Sequence, residues 1–503
     1  PRSMNLHVAS GEAKAAQSTA AISTPVLIIG CGFGGIALAI ALEQAGLTSF
    51  IILERASDVG GVWRDNSYPG AACDVVSRLY SFSYDQDYPW STAFAPRDEI
   101  FTYIKRCVER HRIREHVRFE REVASAAFDA QAGAWTVTTV GGDRFVTPVL
   151  VSAVGLFNNP SIPDIAGRDQ FKGTQFHSAR WNHASTFAGK RVAVIGNGAS
   201  AVQFIPKIAR EVAQLHLFQR SPQYVMPKSI FPGTGAWDHW LQKHPRLRGL
   251  ARLKIFLMFE RFIWRRRWRP HLRLNAEAAF RKLLETKIKD PVLRQKLTPN
   301  YPMGCKRQLV SDEWYDALVR PNVEVVDTAI ERIEPDGIRT RDGNVRRVDA
   351  IIYGTGFTPT AFLTPMRITG LGGRDLNEAW RDGAEAYLGL TVTGFPNFFM
   401  MYGPNTNAVA SIIYMLECQA RYIVSAVRTL SRRGARFMNV HADTQRRFNE
   451  EAQARLATTI PARPDCFTYF KQPNGRITTQ WPGYALEYRI RTHAVRSGDY
   501  EFV

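Results

Sequence analysis

Two glycine clusters stand where a chain could hold phosphate. Gly30-Cys31-Gly32-Phe33-Gly34-Gly35 follows the apolar run Pro25 to Ile29, and Gly196-Asn197-Gly198-Ala199-Ser200-Ala201 follows Arg191 to Ile195. In a G-x-G-x-x-G/A cluster the first glycine makes a tight strand-to-helix turn and the second admits a pyrophosphate to the backbone. The third lets helix and strand pack closely, with the phosphates at the positive helix N-terminus. Gly30, Gly32 and Gly35, and Gly196, Gly198 and Ala201, are therefore candidate dinucleotide-binding residues. An acidic acceptor for an adenosine ribose belongs about 20 residues further on. Glu54 stands 24 residues after Gly30. At the same spacing from Gly196 comes Arg220, followed by Ser221, and a cation there attracts a 2′-phosphate. The pair reads as an FAD site first and an NADPH site second.

Each cluster works only inside a β-α-β unit, and the surrounding pattern supplies one. Ile36 to Gly46 is helix-like and Phe50 to Leu53 is apolar and β-rich; Ala201 to Ala213 and Leu215 to Phe218 repeat the arrangement. The 503 residues allow two to four domains at roughly 100–200 residues each. The expected fold is α/β, with two Rossmann-like dinucleotide-binding domains and a helical insertion in the second. Residues 1–24 read as a disordered tail. The FAD domain takes 25–158 and resumes at 381–503, 159–190 is a linker, and the NADPH domain takes 191–242 and 305–380. The insertion, 243–304, is strongly basic: Lys243 to Lys296 holds 17 Lys and Arg against 4 Asp and Glu, which is 13 of the chain's net +19. Its apolar runs Ile255 to Phe259 and Phe262 to Trp264 are expected on the helix core side, with Arg265 to Arg267 solvated.

Charge of this size permits attraction to nucleic acid, an acidic membrane surface or a phosphorylated cofactor, without choosing among them. No nucleic-acid module appears in the basic segment, so no nucleic-acid partner is expected, and weak adhesion to anionic membrane surfaces stays open. The six cysteines form no C-x-x-C pair, so neither a metal site nor a local redox disulfide is expected, and a reducing, cytoplasmic setting fits. Paired dinucleotide domains also serve disulfide reductases, but only Cys73 lies where their reactive pair would stand.

Between the units runs Phe171-Lys172-Gly173-Thr174-Gln175-Phe176-His177-Ser178-Ala179-Arg180-Trp181-Asn182. The run resembles F-x-G-x-x-x-H-x-x-x-W-[P/D], the fingerprint of the type I Baeyer–Villiger monooxygenases, with Phe171, Gly173, His177 and Trp181 in place and a departure at Asn182. From the chain's own composition, four matches at that spacing are expected about 0.001 times by chance, so the resemblance is specific. Gly60-Gly61-Val62-Trp63 through Tyr68-Pro69-Gly70 to Asp74 is similar to a second family block, as are Gly304-Cys305-Lys306-Arg307, Gly354-Thr355-Gly356-Phe357 and Gly394-Phe395-Pro396-Asn397.

The resemblance implies FAD and NADPH as cofactors, O₂ as co-substrate, and a small-molecule ketone converted to an ester or lactone through a C4a-peroxyflavin. It marks Arg307 as the active-site arginine, Asp74 as its partner, Lys306 and Arg220 as NADPH-phosphate contacts, and Gly61, Trp63 and Asp74 as part of the FAD site. The chemistry of the residues agrees: a cation that cannot deprotonate favours an oxygen anion beside it, and an aspartate orients that cation and offsets its burial. His177 reads as a hydrogen-bonded structural residue, and Trp63 and Trp181 as core aromatics or ligand contacts. An N- or S-oxygenating flavin monooxygenase is the rival enzyme reading, and a basic membrane- or nucleic-acid-binding protein on a nucleotide fold is the rival of another class.

Overall fold

The computed structural model describes residues 20–230, 240, 244, 247–268, 271–408 and 411–503. Its opening strands are β1 (Val26–Ile29), β2 (Ile51–Leu53), β3 (Val117–Arg118) and β4 (Val149–Ser152), with helix α1 (Phe33–Gln44) crossing from β1 to β2. All four residues of β1 and of β4 are buried. Continuous apolar runs of this kind belong to parallel strands covered on both faces. A second set follows: β5 (Thr174–His177), β6 (Arg191–Ile195), β7 (Gln214–Phe218), β8 (Val323–Val326) and β9 (Ala350–Tyr353), with α2 (Ala199–Ile208) between β6 and β7. The chain then returns with β10 (Phe398–Met400).

These strands make two five-stranded parallel sheets, ordered β10-β4-β1-β2-β3 and β8-β7-β6-β9-β5. Each glycine turn leaves the central strand of its sheet, β1 or β6, at the carboxyl end. There the strand order reverses, which is where open α/β sheets take ligands. A mixed sheet of residues 22–23, 144–147, 134–139, 123–129 and 367–369 flanks the first unit.

Several expected boundaries shift. The edge strand Ile22–Ser23 pairs with Phe145 and Val146, so the expected tail already contributes a strand; residues 1–19 lie outside the described residues. The supposed linker carries β5, whose Thr174 to His177 pair with Ala350 to Tyr353. Arg367–Thr369 pairs with Ser125 to Ala127, so the chain is back in the first unit before residue 380.

The basic insertion bridges the units instead of decorating the second. Its helices are α3 (Arg248–Trp268), α4 (His271–Lys287) and a short turn Pro291–Lys296. Ile255 and Phe256 of α3 are buried in the first unit's core beside Tyr414, whereas Phe280 and Leu284 of α4 join the second core. Buried Arg252 fastens α3 to the first unit by donating to the carbonyls of Arg78 (2.6 Å) and Ser81 (2.8 Å), with Glu417 4.0 Å away. Leu257, Met258 and Phe262, expected inside, are exposed, because the core takes up only one narrow stripe of this helix. The side chains of Arg265 to Arg267 lie outside the described residues.

The cysteine expectation also changes. Cys305 and Cys466, 161 residues apart, form a disulfide, and the other four cysteines are free and buried. Sequence spacing shows local pairs only, and this one exists because the fold brings two distant turns together.

Candidate active site

One cavity of about 1420 Å³ is lined by both glycine turns and by residues of the segments 60–75, 154–165, 306–309, 354–366, 401–408, 411–416 and 466–473. On the first side Gly30 has φ +100°, and a β-carbon there would come 2.8 Å from the Ala153 carbonyl oxygen. At Gly35 it would come 2.0 Å from the Gly30 oxygen, so α1 could not seat on β1 with any larger residue. Gly32 and Gly61 stand face to face, a β-carbon on Gly61 falling 3.3 Å from the Gly32 Cα. Side chains at these positions would fill the approach to the first N–H groups of α1. Those groups carry no side-chain cap and no acid in the first turn. An uncapped helix N-terminus behind a glycine cradle suits a pyrophosphate.

Glu54 lies at the end of β2, nearly fully buried. Its Oε2 accepts from the Cys31 N–H (2.9 Å), and its Oε1 accepts from the Ala56 N–H (3.0 Å) and Arg64 Nη1 (3.1 Å). A carboxylate offers about four acceptor positions, so roughly one remains for a ribose hydroxyl. Sequence reasoning missed Arg64, one residue past Trp63 in a block read for its glycines and tryptophan. Trp63 lines the cavity and donates its indole N–H to the Tyr80 hydroxyl at 3.1 Å.

The second side repeats the backbone design with opposite charge. Gly196 has φ +101°, and a β-carbon there would meet the Gly354 carbonyl oxygen at 2.5 Å. Ala201 takes the third position, and a β-carbon on Gly354 would come 3.2 Å from that of Ala201, so the strand end facing it stays bare. The N-terminus of α2, at Gly198, has no side-chain cap and no acid in the first turn. Arg220 is exposed at the end of β7, and Lys306 donates from Nζ to the Ser221 Oγ although 85 residues separate them. Burial, then the charge of Arg220, pushes the Lys306 ammonium down to about 8. Two cations held against their own repulsion beside a hydroxyl make a setting that suits a phosphate monoester.

Arg307 and Asp74 meet between these cradles. The guanidinium donates from Nε to Oδ2 (2.8 Å) and from Nη2 to Oδ1 (2.6 Å), a two-point contact across 233 residues of sequence. The Arg307 side chain is 41% exposed, and the part not covered by Asp74 faces the cavity. The carboxylate raises the arginine pKa further and outweighs the opposing effect of burial, so the charge is permanent. Two phenols missed from sequence complete this wall. Burial raises Tyr402 above its ordinary range, partly countered by Arg307, and the half-exposed Tyr469 lines the same cavity. No spacing rule could have linked them to Arg307.

The fingerprint residues turn out to be packing. Phe171 is buried, and a β-carbon at Gly173 would come 2.4 Å from the Asp349 carbonyl oxygen and 2.6 Å from the Phe171 ring. Trp181 is enclosed by Phe176, Phe187 and Phe204 with ring separations of 5.2–5.9 Å, away from the cavity wall. His177 ends β5 with its Nδ1 accepting from the Ala179 N–H at 3.1 Å. Burial, offset in part by the Gly356 backbone, holds its imidazolium pKa down to about 4. Neutral at physiological pH, it fixes the turn into Trp181.

Comparison with known proteins gives a consistent family. The family model described as flavin-binding monooxygenase-like matches residues 23–366. A Baeyer–Villiger monooxygenase of Streptomyces coelicolor is 40% identical over 478 residues, covering 95% of this chain and 92% of the relative. Among solved structures, oxidized steroid monooxygenase bound to NADP is 29% identical with TM-score 0.83, covering 96% of this chain and 99% of its own. OTEMO in complex with FAD and NADP is 28% identical with TM-score 0.85, covering 95% and 99%.

The buried neutral His177 gives a pH test. Below about 6.5 an unfolded chain protonates this histidine, while the folded chain resists until about 4, so stability is lost as pH falls across that window. His177→Gln removes the titration. Its urea unfolding midpoint should lie below wild type at pH 7, and the gap should narrow towards pH 4.5. A gap independent of pH would contradict the assignment.

Proposed function

This chain belongs to the flavin-binding monooxygenase-like family, and on that premise we propose that it is a Baeyer–Villiger monooxygenase. It uses FAD, NADPH and O₂ to insert an oxygen atom next to a ketone carbonyl, giving an ester or lactone and water. The observation that carries this reading is the Arg307–Asp74 pair, set in the wall of a cavity onto which both dinucleotide cradles open.

FAD and NADPH, when bound, supply the electrons and the oxygen-activating chemistry. The residues supply binding and charge. Gly30, Gly32, Gly35, Glu54, Gly61, Trp63 and Asp74 would hold FAD, and Gly196, Gly198, Ala201, Arg220, Ser221 and Lys306 would hold NADPH. Arg307 places a fixed positive charge where negative charge collects on the reacting oxygen atoms and on the ketone oxygen. Asp74 fixes the plane of the guanidinium and keeps its remaining N–H groups pointing into the cavity. Dependence on NADPH favours the cytoplasm as the place of reaction.

A finer partner reading follows from α3. Among the described residues no helix is long and apolar enough to cross a membrane, so contact with a bilayer would be at its surface. Leu250, Leu253 and Leu257 lie on one exposed side of α3 at 62%, 50% and 53% exposure, interleaved with Lys254 and Arg261. Exposed leucines among cations suit the interface of an anionic bilayer, where apolar ketones also partition.

Three outcomes test these readings. Arg307→Ala should still bind FAD and still be reduced by NADPH without oxygen, because hydride transfer needs only that two rings meet. Ester formation should fall by roughly 10²–10³, with hydrogen peroxide released instead. Wild-type ester yield from this variant would remove Arg307 from the reaction.

Arg220→Ala should weaken NADPH by roughly 1.5–3 kcal/mol and leave NADH nearly unchanged. The pH dependence has a definite sign. As pH rises through about 8 the free protein's Lys306 loses its charge, so NADPH affinity should fall there, and Arg220→Ala should move that fall to higher pH. An unchanged profile in the variant would contradict the coupling of the two cations.

Co-sedimentation with phosphatidylserine vesicles should be detectable at low salt, lost at high salt, and abolished by Leu253→Glu with Leu257→Glu. No binding at low salt ends the membrane reading.

A further inference from the structure

The Cys305–Cys466 disulfide joins two parts of the cavity wall that sequence places 161 residues apart. Cys305 closes a turn, its N–H donating to the Pro302 carbonyl at 3.1 Å, and Lys306 and Arg307 follow at once. Cys466 belongs to the first unit's returning chain, yet its side chain is fully buried in the second unit's core beside Cys305. From Cys466 the chain runs along the cavity as Phe467, Thr468 and Tyr469, then Lys471, Gln472 and Pro473.

Little else holds this stretch. Among the described residues, the hydrogen bonds of 464–469 reach only partners within 463–471: Cys466 N–H to the Arg463 carbonyl, Lys471 N–H to the Thr468 carbonyl, Phe470 N–H to the Thr468 hydroxyl, and Arg463 to Asp465. Phe467 is 80% exposed and Tyr469 45%. Phe470, buried against Leu456 and Ile477, anchors the stretch from its far end. Among the described residues the disulfide is thus its one covalent or hydrogen-bonded tie to the opposite unit. Immediately beyond that tie, Tyr469 and Arg307 line the same cavity.

We propose that Cys305 and Cys466 are positioning residues for oxygen insertion: their disulfide clamps the Arg307 turn to the Tyr469 wall and so fixes the reacting space between them. Neither sulfur touches the chemistry. The clamp acts on Arg307 through two backbone bonds and on Tyr469 through three residues, and it spans the two units that each hold one dinucleotide. This inference rests on the Baeyer–Villiger reading. Opening the clamp leaves both glycine cradles and Asp74 in place, so hydride transfer continues. The wall that excludes water and orients the ketone against Arg307 loosens, and displacements near an ångström at a reacting centre cost roughly 10²-fold in rate.

The test uses the FAD-loaded enzyme and reads four quantities. Isolated without reductant and then denatured, wild type should show four titratable thiols of its six cysteines and a cross-linked peptide containing residues 305 and 466. Cys466→Ser should keep its FAD and its anaerobic reduction by NADPH. Its product formed per NADPH consumed should fall by roughly tenfold or more, with hydrogen peroxide making up the difference. Chymotrypsin should cut Cys466→Ser between Phe467 and Phe470 much faster than wild type. Cys305→Ser should behave alike, and the double variant should be no worse than either single one, because the two sulfurs act as one unit.

Six thiols in the isolated wild type would overturn the proposal. So would wild-type coupling and protease resistance in Cys466→Ser, or losses that add in the double variant. If wild type converts no ketone at all, the function assignment fails. The thiol count, the cross-linked peptide and the protease pattern then still decide whether the clamp exists and holds the wall.

Discussion

Arg307 keeps a full positive charge in the wall of a cavity, and the rest of the architecture follows from making that tenable. A guanidinium taken partly out of water must recover what its hydration gave, and Asp74 does so at two points with distances of 2.6 and 2.8 Å. The pair is 233 residues apart in sequence, so it can form only if two units close on one another. The contact across the units is correspondingly specific. The Tyr68 hydroxyl donates to Gln203 Oε1 at 2.9 Å while the Gln203 amide donates to the Ala72 carbonyl at 2.9 Å, setting the 68–74 loop against α2 of the second unit. Asp74 is delivered by that loop.

The two cradles show how one backbone device accepts two ligands. At both, glycine is dictated by backbone atoms 2.0–2.8 Å from where a β-carbon would sit, so the turns are nearly the same object. They differ at the strand ends. After β2 the acid Glu54 is folded inward and tied to three donors, which leaves it roughly one acceptor position and excludes a phosphate by charge. After β7 Arg220 stays exposed, with Lys306 and Ser221 gathered behind it. On the proposed reading, backbone geometry sets where a dinucleotide lies, and the sign of one side chain sets which.

What could be read from sequence was local. The glycine turns, the strands β1, β2, β6 and β7, and the acid and cation that follow them announce themselves within about 25 residues, because a β-α-β unit is a contiguous object. Arg307 and Asp74 were legible only by resemblance, since no periodicity joins residues 233 apart. Arg64, Tyr402, Tyr469 and the Cys305–Cys466 bond were not legible at all: each matters through a partner supplied by tertiary contact. The fingerprint misled in an instructive way. Its surroundings read as a linker on the strength of Pro160, Pro163 and Gly167, yet β5 is an edge strand with only His177 buried, so its sequence carries little alternation. Likewise α3 read as a helix with an ordinary core face, whereas its burial is shared between Ile255, Phe256 and the stem of Arg252, leaving three leucines outside.

The basicity of the chain then has two separate physical origins. Arg220, Lys306 and Arg307 are cations that ligands or a carboxylate require; they are few and face the cavity. The larger share sits in the insertion, where Arg252 shows that not all of it is solvated decoration. This arginine spends its charge on the carbonyls of Arg78 and Ser81, which lie in the same loop region that leads from Asp74 to the first unit's core. Burial lowers the Arg252 pKa and raises that of Glu417, so each pays for desolvation and each is needed by the other. A helix inserted in the second unit is thereby bound to the first at the loop that carries the aspartate. The loop that carries Asp74 is held at two points by residues of the second unit, Gln203 of α2 and Arg252 of the insertion. A change in how the units sit would move that loop, and with it the carboxylate that holds Arg307.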